Sequence, residues 1–215
     1  MKRKKNRFLL PLVLLGAFLL WTAAVRTVDV RAVGPLGSRV GFAAWNSRFH
    51  HWTGVHWGLY TLTDWLGLVP IIICTAFAAL GFLQLVRRRS LGRVDADLLL
   101  LGGFYGAVAA CFLLFELFPV NYRPVLIEGR LEASYPSSTT LLVMCVMPTT
   151  WMQLRRRLGS RSLLRSAGVL IWGFTAFMVA GRALCGVHWI TDILGGAVLS
   201  AALVTAYGAV LRSEC

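Results

Sequence analysis

Charged residues are scarce in this chain, and acidic residues are the scarcest. Only 14% of the 215 residues are charged, whereas 57% are hydrophobic, and nine are Asp or Glu. Soluble domains usually carry about 25% charged residues. So small a polar surface excludes an ordinary soluble protein, a disordered chain and a fibrous repeat. The five cysteines have the spacing of neither a zinc site nor a disulfide framework, and we expect no metal and no cofactor.

Long apolar runs dominate the chain instead. Six can be recognised, at residues 8–25, 66–86, 98–118, 138–154, 163–180 and 190–211. Each is close to the roughly 20 residues that a membrane-spanning helix needs, and the fourth is the shortest. The pattern predicts an all-α, polytopic membrane protein, with one domain over residues 1–215 that folds as a bundle of six transmembrane helices.

The first apolar run has two interpretations. The basic start at residues 1–7 and the sequence Thr22-Ala23-Ala24 are features of a cleavable signal peptide. The run is long for the hydrophobic core of a signal peptide, however, so we expect a helix that is retained.

Basic residues are distributed unevenly between the loops. Fifteen of the 22 Lys and Arg lie before the first run, between the second and third, between the fourth and fifth, and after the sixth. Basic loops of membrane proteins stay in the cytoplasm, so we predict a multi-pass protein of the cell membrane with both termini cytoplasmic. The net charge of +13, which would suggest nucleic acid in a soluble protein, then records topology. We expect the lipid bilayer as a partner and no nucleic acid.

The first outer segment, residues 26–65, is rich in residues that favour the membrane surface. Its aromatic residues include Trp45, Trp52, Trp57, Tyr60 and Trp65. We predict an interfacial amphipathic stretch at headgroup depth. His50, His51 and His56 lie in the same segment, but they lack the i, i+4 spacing of metal-binding histidines on a helix. An interfacial stretch is therefore favoured over a metal site.

The third apolar run carries a G-x-x-x-G pattern, formed by Gly102 and Gly106. Small residues at this spacing let two helices approach closely. The pattern favours close packing inside the bundle, and a homodimer through the same face is the alternative.

Polar residues concentrate in the last two outer segments, where one pair stands out. His188 and Asp192 are four residues apart, so on a helix they share a face at the outer mouth of the sixth run. A carboxylate bonded to one imidazole nitrogen fixes the tautomer and leaves the other nitrogen free to attack. The pair is therefore either a reactive site or a satisfied pair that caps the helix.

Two further clusters have the chemistry of an anion site. Arg123 and Arg182 each offer a planar fork that suits a phosphate. Ser137 and Ser138 begin the fourth run, where a capped helix N-terminus presents free amides and the positive end of its dipole. Because the predicted topology puts all these groups on one side of the membrane, together they form an anion site that contains a nucleophile.

This arrangement resembles the type-2 phosphatidic acid phosphatase superfamily. That family carries three ordered signatures, K-x6-R-P, P-S-G-H and S-R-x5-H-x3-D. The third matches from Gly181 to Asp192, with glycine in place of the leading serine. The first matches at Arg123, although Glu116 occupies the lysine position. The resemblance covers about residues 60–211, and the motif-bearing region is 116–192.

The second signature is the most altered. It matches at Pro136 and Ser137, but Ser138 and Thr139 stand where the family has glycine and histidine. The family's histidine protonates the leaving group, and a threonine hydroxyl is a poor acid near neutral pH.

The resemblance implies a metal-independent phosphatase that acts on a lipid phosphate, such as a phosphatidate or a polyprenyl pyrophosphate, at the outer membrane face. By this likeness His188 would attack phosphorus to form a phosphohistidine, and Asp192 would orient it. The groups that hold the phosphoryl oxygens would be Arg123, Arg182 and the amides of Ser137 and Ser138.

The departures from the signatures leave three alternatives open. Another acid supplies the proton, with Glu132, Glu128 or a protonated Glu116 as candidates. Alternatively, a good leaving group such as the phosphate of a pyrophosphate needs less protonation. Thirdly, the protein binds a lipid phosphate without hydrolysis, as a carrier, regulator or assembly partner. A phosphotransferase would use the same nucleophile and differ in its acceptor.

Overall fold

All regular structure in the computed structural model, which describes residues 7–213, is helical. The helices are α1 (Leu9–Thr27), α2 (Ala43–Thr53), α3 (Trp57–Leu66), α4 (Leu68–Arg88), α5 (Ala96–Leu117), α6 (Ser138–Arg157), α7 (Arg161–Leu184) and α8 (Ile190–Leu211). Within the described residues the β contacts are isolated bridges in the loops. The all-α prediction is confirmed, whereas the predicted basic start lies outside the described residues except for Arg7.

Five stretches of helix are long and apolar enough to cross a membrane. They are Leu9–Thr27, Trp57–Arg88, Ala96–Leu117, Arg161–Leu184 and Ile190–Leu211. The predicted membrane protein is thereby confirmed. These spans correspond to five of the six predicted apolar runs.

The remaining run forms helix α6, which is less apolar because it lies inside the bundle. It packs against α4, α5, α7 and α8, and about half of its residues are buried. A helix that is covered by protein needs no apolar surface for lipid, so α6 can carry polar residues. One of them is Gln153, whose amide donates to the Tyr207 hydroxyl of α8 at 2.7 Å.

Helix α8 is the most buried of the spans, and both α1 and α6 pack along it. Small residues near its start allow this close approach. A Cβ atom added to Gly195 would lie 2.5 Å from the ring of Tyr135, and one added to Gly196 would lie 3.1 Å from the Ser137 carbonyl oxygen. The glycines therefore bring the outer loop and the start of α6 directly onto the start of α8.

The predicted interfacial segment, residues 26–65, contains α2 and α3. Helix α3 runs into α4 with a break at Gly67, so the second span starts at Trp57 rather than near residue 66. Pro70 explains the break, because it has no N–H to donate to the Leu66 carbonyl and its ring clashes with that turn. The tryptophans of the segment are exposed.

The two glycines of the G-x-x-x-G pattern do not mediate close packing in the described part of the chain. A Cβ atom added to Gly102 or Gly106 would meet no atom within 4 Å. The predicted close packing inside the bundle is therefore wrong, because the neighbouring helices contact other faces of α5. A homodimer through these glycines stays a prediction.

Candidate active site

A short antiparallel pairing in the outer loop between α5 and α6 determines which side chains of that loop face the site. The Arg123 N–H donates to the Glu132 carbonyl at 3.0 Å, and the Ser134 N–H donates to the Asn121 carbonyl at 2.9 Å. Opposite residues, and residues two apart on one strand, project to the same face. The side chains of Asn121, Arg123, Glu132 and Ser134 therefore share one face of the loop.

The turn between α7 and α8 meets that face. The Trp189 indole N–H donates to the Tyr122 carbonyl at 2.8 Å, which ties the turn to the loop. On its other side the turn lies against the α2–α3 junction, where the His56 N–H donates to the Cys185 carbonyl at 3.0 Å. Gly186 has φ 74°, and a Cβ atom there would lie 1.9 Å from the Gly54 carbonyl oxygen, so the contact requires glycine.

Asp192 is fully buried in the first turn of α8, and its carboxylate oxygens accept hydrogen bonds on all sides. The Asn121 amide donates to Oδ1 at 3.1 Å. The Ser134 hydroxyl donates to Oδ2 at 2.5 Å, and the Trp189 backbone N–H donates to the same oxygen at 3.1 Å. The positive end of the helix dipole also stabilises a carboxylate at this position.

His188 contacts the loop through both ring nitrogens. Nδ1 lies 3.0 Å from the Ser134 hydroxyl, and Nε2 lies 3.4 Å from Nη1 of Arg123. A guanidinium can only donate, so Nε2 has to be the nitrogen with the lone pair and Nδ1 the one with the proton. Asp192 therefore reaches His188 through Ser134, whereas the sequence suggested a direct carboxylate–imidazole bond.

The surroundings of His188 keep its ring neutral. Its side chain is buried, and burial lowers the pKa of His188 well below its ordinary value of 6.5. The positive charges of Arg123 and Arg182 lower this pKa further. A neutral imidazole with a free lone pair on Nε2 is the form that can act as a nucleophile.

Arg123 presents its guanidinium beside that lone pair. Its Nε lies 3.1 Å from Glu132 Oε2, so the two side chains form an ion pair. The Nε–H does not point at that oxygen with hydrogen-bond geometry, and it is buried without an acceptor among the described residues. A buried donor of this kind is what an anion would satisfy.

Arg182 lies beside the site, in the last turn of α7. It is 2% exposed, and its Nη atoms lie 3.4 Å from the Thr63 hydroxyl and from Asp64 Oδ1. Its guanidinium carbon lies 5.0 Å from the ring centroid of Tyr60. These partners on α3 could not be found from the sequence, because no pattern relates them to the motif. Like Arg123, Arg182 has a buried Nε–H without an acceptor in the described part of the chain.

A cavity of about 250 Å³ lies over His188 and Arg123. Its other lining residues include Phe112, Phe115, Glu116, Glu132, Ser134 and Ser138. Two of the proposed acids, Glu116 and Glu132, therefore border the cavity. Glu128 does not line it, because this residue lies at the exposed tip of the loop.

The start of α6 separates this cavity from an apolar groove of about 600 Å³ between α4, α5 and α6. Phe112, Ser138 and Leu141 line both spaces, whereas Thr139 lines the groove and not the cavity. Ser137 is occupied by other contacts: its hydroxyl caps α6, and its N–H donates to the Asp192 carbonyl at 3.1 Å.

Two contributors were missed by sequence reasoning. Asn121 and Ser134 lie inside clusters that the sequence singles out, but they bind Asp192 only because the loop pairs them across twelve residues.

The described residues contain no group of three or more His, Cys, Asp or Glu that could hold a metal ion. His50 lies with Nε2 3.0 Å from the Gly186 carbonyl oxygen.

Comparisons with known proteins agree with the motif reading. The sequence model of the PAP2 superfamily matches residues 103–212, just over half of the chain. The fold is similar to the crystal structure of the first transmembrane PAP2 type phosphatidylglycerolphosphate phosphatase from Bacillus subtilis, with a TM-score of 0.61. The two sequences are 18% identical, and the match covers 96% of this chain and 98% of that one. Comparison with curated proteins gives no significant match.

Proposed function

The chain belongs to the PAP2 superfamily, and on that premise we propose that it is a membrane lipid phosphatase whose nucleophile is His188. The observation that carries the proposal is the pairing of a neutral, buried imidazole with a buried guanidinium at the floor of one cavity. The imidazole supplies the attacking nitrogen, and the guanidinium supplies charge for the phosphoryl oxygens.

The proposed reaction has two steps at phosphorus. In the first, Nε2 of His188 forms a bond to the terminal phosphorus, and the bond from that phosphorus to the leaving oxygen breaks. This oxygen belongs to the lipid phosphate in a lipid pyrophosphate and to the lipid alcohol in a monoester. The electron pair leaves with that oxygen. In the second, a water oxygen forms a bond to phosphorus and the bond from phosphorus to Nε2 breaks. The electron pair of that bond returns to Nε2, so His188 is neutral again, and inorganic phosphate leaves with the protons of the water. Splitting one displacement into two is the usual gain of covalent catalysis.

The charges at the cavity match the demands of phosphoryl transfer. Catalysis of this reaction rests mainly on positioning and on stabilising charge at the phosphoryl oxygens. Arg123 adjoins His188 directly, and the positive charge of Arg182 also acts on the ring. Ser138 lines the cavity at the start of α6, where helix amides lack intrahelical acceptors and favour an anion.

Protonation of the leaving group is the step for which this chain lacks the residue that its family uses. Thr139 lines the apolar groove rather than the cavity, and Glu132 forms an ion pair with Arg123. Glu116 lines the cavity and takes part in no ion pair with a described residue. A substrate with a good leaving group, such as a lipid pyrophosphate, fits this site best. For a monoester, Glu116 is the candidate acid, because it lines the cavity.

A lipid is favoured over a soluble phosphate ester because of the groove. The polar cavity and the apolar groove share three lining residues, so an amphiphile could place its phosphate at His188 and its chain between α4, α5 and α6. Apolar surface of this extent stabilises a bound hydrocarbon chain by the hydrophobic effect.

The test is phosphate release by the purified protein in detergent across a panel of lipid phosphates and lipid pyrophosphates, in the presence of a chelator. We expect wild type to turn over at least one lipid pyrophosphate and His188→Asn to lose turnover. The matched control is His51→Asn, which removes an exposed histidine of α2 and should keep full activity. Equal turnover by wild type and His188→Asn would disprove the mechanism.

The position of Thr139 outside the cavity favours a second candidate, a member that binds a lipid phosphate without hydrolysing it. The same panel separates the two functions when binding is measured beside release. Saturable binding that Arg123→Gln weakens, with no phosphate released from any substrate, would support the binding function. Transfer of labelled phosphate to an acceptor lipid would instead indicate a phosphotransferase.

A further inference from the structure

The loop residue Ser134 stands between the two residues that the motif pairs. Its hydroxyl oxygen lies 3.0 Å from Nδ1 of His188 and 2.5 Å from Oδ2 of Asp192. Among the described residues, the ring nitrogens of His188 contact Arg123 and Ser134, and Asp192 is not among their partners. We propose that Ser134 is a positioning residue that transmits the effect of Asp192 to His188, a role that rests on the proposed phosphatase function.

The directions of the two hydrogen bonds follow from the donors available. An ionised carboxylate only accepts, so the Ser134 hydroxyl proton points to Asp192. The same oxygen then has lone pairs free to accept from Nδ1–H of His188. The chain of bonds therefore holds the imidazole in the tautomer whose lone pair is on Nε2, the nitrogen that faces Arg123 and the cavity.

Asp192 has its acceptor sites occupied by other donors. Asn121 donates to Oδ1, while Ser134 and the Trp189 N–H both donate to Oδ2. Asn121 and Ser134 are opposite each other in the paired loop. Their two side chains therefore place one donor on each oxygen of the carboxylate. The loop thus fixes the carboxylate and inserts the hydroxyl in one arrangement.

The chain of bonds also has a function during attack. When Nε2 forms its bond to phosphorus, the bond from phosphorus to the leaving oxygen breaks and positive charge develops on the imidazole. The Nδ1 proton stays on the ring, and its bond to Ser134 strengthens as the charge grows. The carboxylate of Asp192 stabilises this charge through the polarised hydroxyl. No proton has to leave Nδ1 in either step.

The first test is the rate of phosphate release by Ser134→Ala. At metal sites, removing the hydrogen-bond partner that orients a histidine ligand typically costs about 10–100-fold, and we take this as the scale here. We expect a loss of this size in kcat with little change in KM, because the alanine leaves the cavity and Arg123 in place. The matched control is Ser200→Ala, which removes another buried serine hydroxyl of the bundle, one bonded to the Gly196 carbonyl at 2.7 Å. Ser134→Thr keeps the hydroxyl and should restore most of kcat.

The second test separates transmission through Ser134 from a direct effect of Asp192. Asp192→Asn is compared in the wild-type and Ser134→Ala backgrounds. If Asp192 acts through Ser134, its substitution should cost far less kcat in the Ser134→Ala background than in wild type. An equal cost in both backgrounds, with each variant folded as judged by its thermal denaturation, would overturn the proposal.

The third test needs no turnover and therefore stands apart from the proposed function. Imidazole ¹⁵N spectra of the resting protein report which ring nitrogen carries the proton, and His188→Asn identifies the His188 signals. We expect the Nδ1–H tautomer in wild type and Ser134→Thr, and a mixture of tautomers in Ser134→Ala. An Nε2–H tautomer in wild type, or an unchanged tautomer in Ser134→Ala, would overturn the role of Ser134. Absence of phosphate release with the expected spectra would overturn the phosphatase function alone.

Discussion

At the scale of single residues, the protonation state of His188 governs the proposed chemistry. Burial and two arginines disfavour the charged ring, and the neutral ring is the proposed nucleophile. Protonation therefore switches the nucleophile off only when the pH falls to the lowered pKa. The site should stay active at pH values where a solvent-exposed histidine would already be protonated.

We expect the acid limb of kcat/KM to lie well below pH 6.5, the ordinary pKa of histidine. Arg123→Gln removes a positive charge that lowers the pKa of His188, so its acid limb should move to higher pH. The lost charge stabilisation should also reduce kcat/KM by about 10²–10³-fold. Phosphate release measured from about pH 4 to about pH 9 checks both effects, because this range brackets the ordinary pKa of histidine.

Arg48→Gln is the control for that prediction, because Arg48 is an exposed arginine of α2 that does not line the cavity. Its pH profile should coincide with that of wild type. An acid limb that stays in place in Arg123→Gln would mean that Arg123 does not influence the charge of His188.

The sequence allowed some of these residues to be predicted and concealed others. His188, Asp192 and Arg123 could be predicted because ionisable residues are costly near a membrane helix and their spacing matches the family signatures. Ser134 could not, since a serine before a helix is ordinarily a capping residue and its contact depends on pairing across the loop. Thr139 was singled out for its position in the signature, yet it lines the neighbouring groove.

At the scale of helices, the start of α8 is the element on which the site is assembled. The Tyr135 ring lies over Gly195, and its hydroxyl lies 2.7 Å from the Thr22 hydroxyl of α1. The loop that carries Ser134 is therefore clamped between α1 and α8. A side chain at Gly195 would push Tyr135, and with it Ser134, away from Asp192.

We expect Gly195→Ala to lower stability by about 1–3 kcal/mol, the usual cost of overpacking, and to reduce kcat. A Cβ atom there would lie 2.5 Å from the Tyr135 ring. Gly173→Ala in α7 is the matched control, because its Cβ atom meets nothing within 4 Å and alanine favours a helix by about 0.5–1 kcal/mol. Thermal denaturation and phosphate release, both in detergent, check the pair. Equal melting temperatures for the two variants would contradict the clamp.

Helices were predicted from the sequence more reliably than their roles. The apolar runs predicted α1, α4, α5, α7 and α8 as spans because a helix that contacts lipid has to be hydrophobic. Helix α6 gave the weakest hydrophobic signal in the sequence because protein rather than lipid surrounds it. The same position makes it the central helix of the bundle. The start of the second span was missed because the break at Gly67 divides one apolar helix into α3 and α4.

At the scale of the whole molecule, the site and the basic loops lie at opposite ends of the bundle. Arg7 donates to the Arg212 carbonyl at 3.0 Å, which joins the start of α1 to the end of α8. Arg157 pairs with Asp97 at 2.8 Å, which joins the end of α6 to the start of α5. Both contacts lie far along the helices from the starts of α6 and α8, where the site is. In the topology predicted from the sequence, the basic ends are cytoplasmic and the site is outside.

We predict that a membrane-impermeant maleimide will distinguish the two ends in intact cells. A cysteine at Glu128, in the exposed tip of the loop that carries Arg123, should react without permeabilisation. A cysteine at Gly159, in the turn between α6 and α7, should react only after permeabilisation. The predicted orientation gives this result because an outward site and inward basic loops place the two cysteines on opposite sides of the bilayer.

The labelling is best done with Cys215→Ser in both variants, because that cysteine lies at the terminus and outside the described residues. The remaining cysteines are buried or half-buried, so the parent with Cys215→Ser alone gives the background. Labelling of Gly159→Cys in intact cells, with Glu128→Cys unlabelled, would show that the topology is the reverse of the predicted one. The site would then face the cytoplasm, and its substrate would have to be a lipid phosphate of the inner leaflet. Retained phosphate release in both variants would show that the label reports the folded protein.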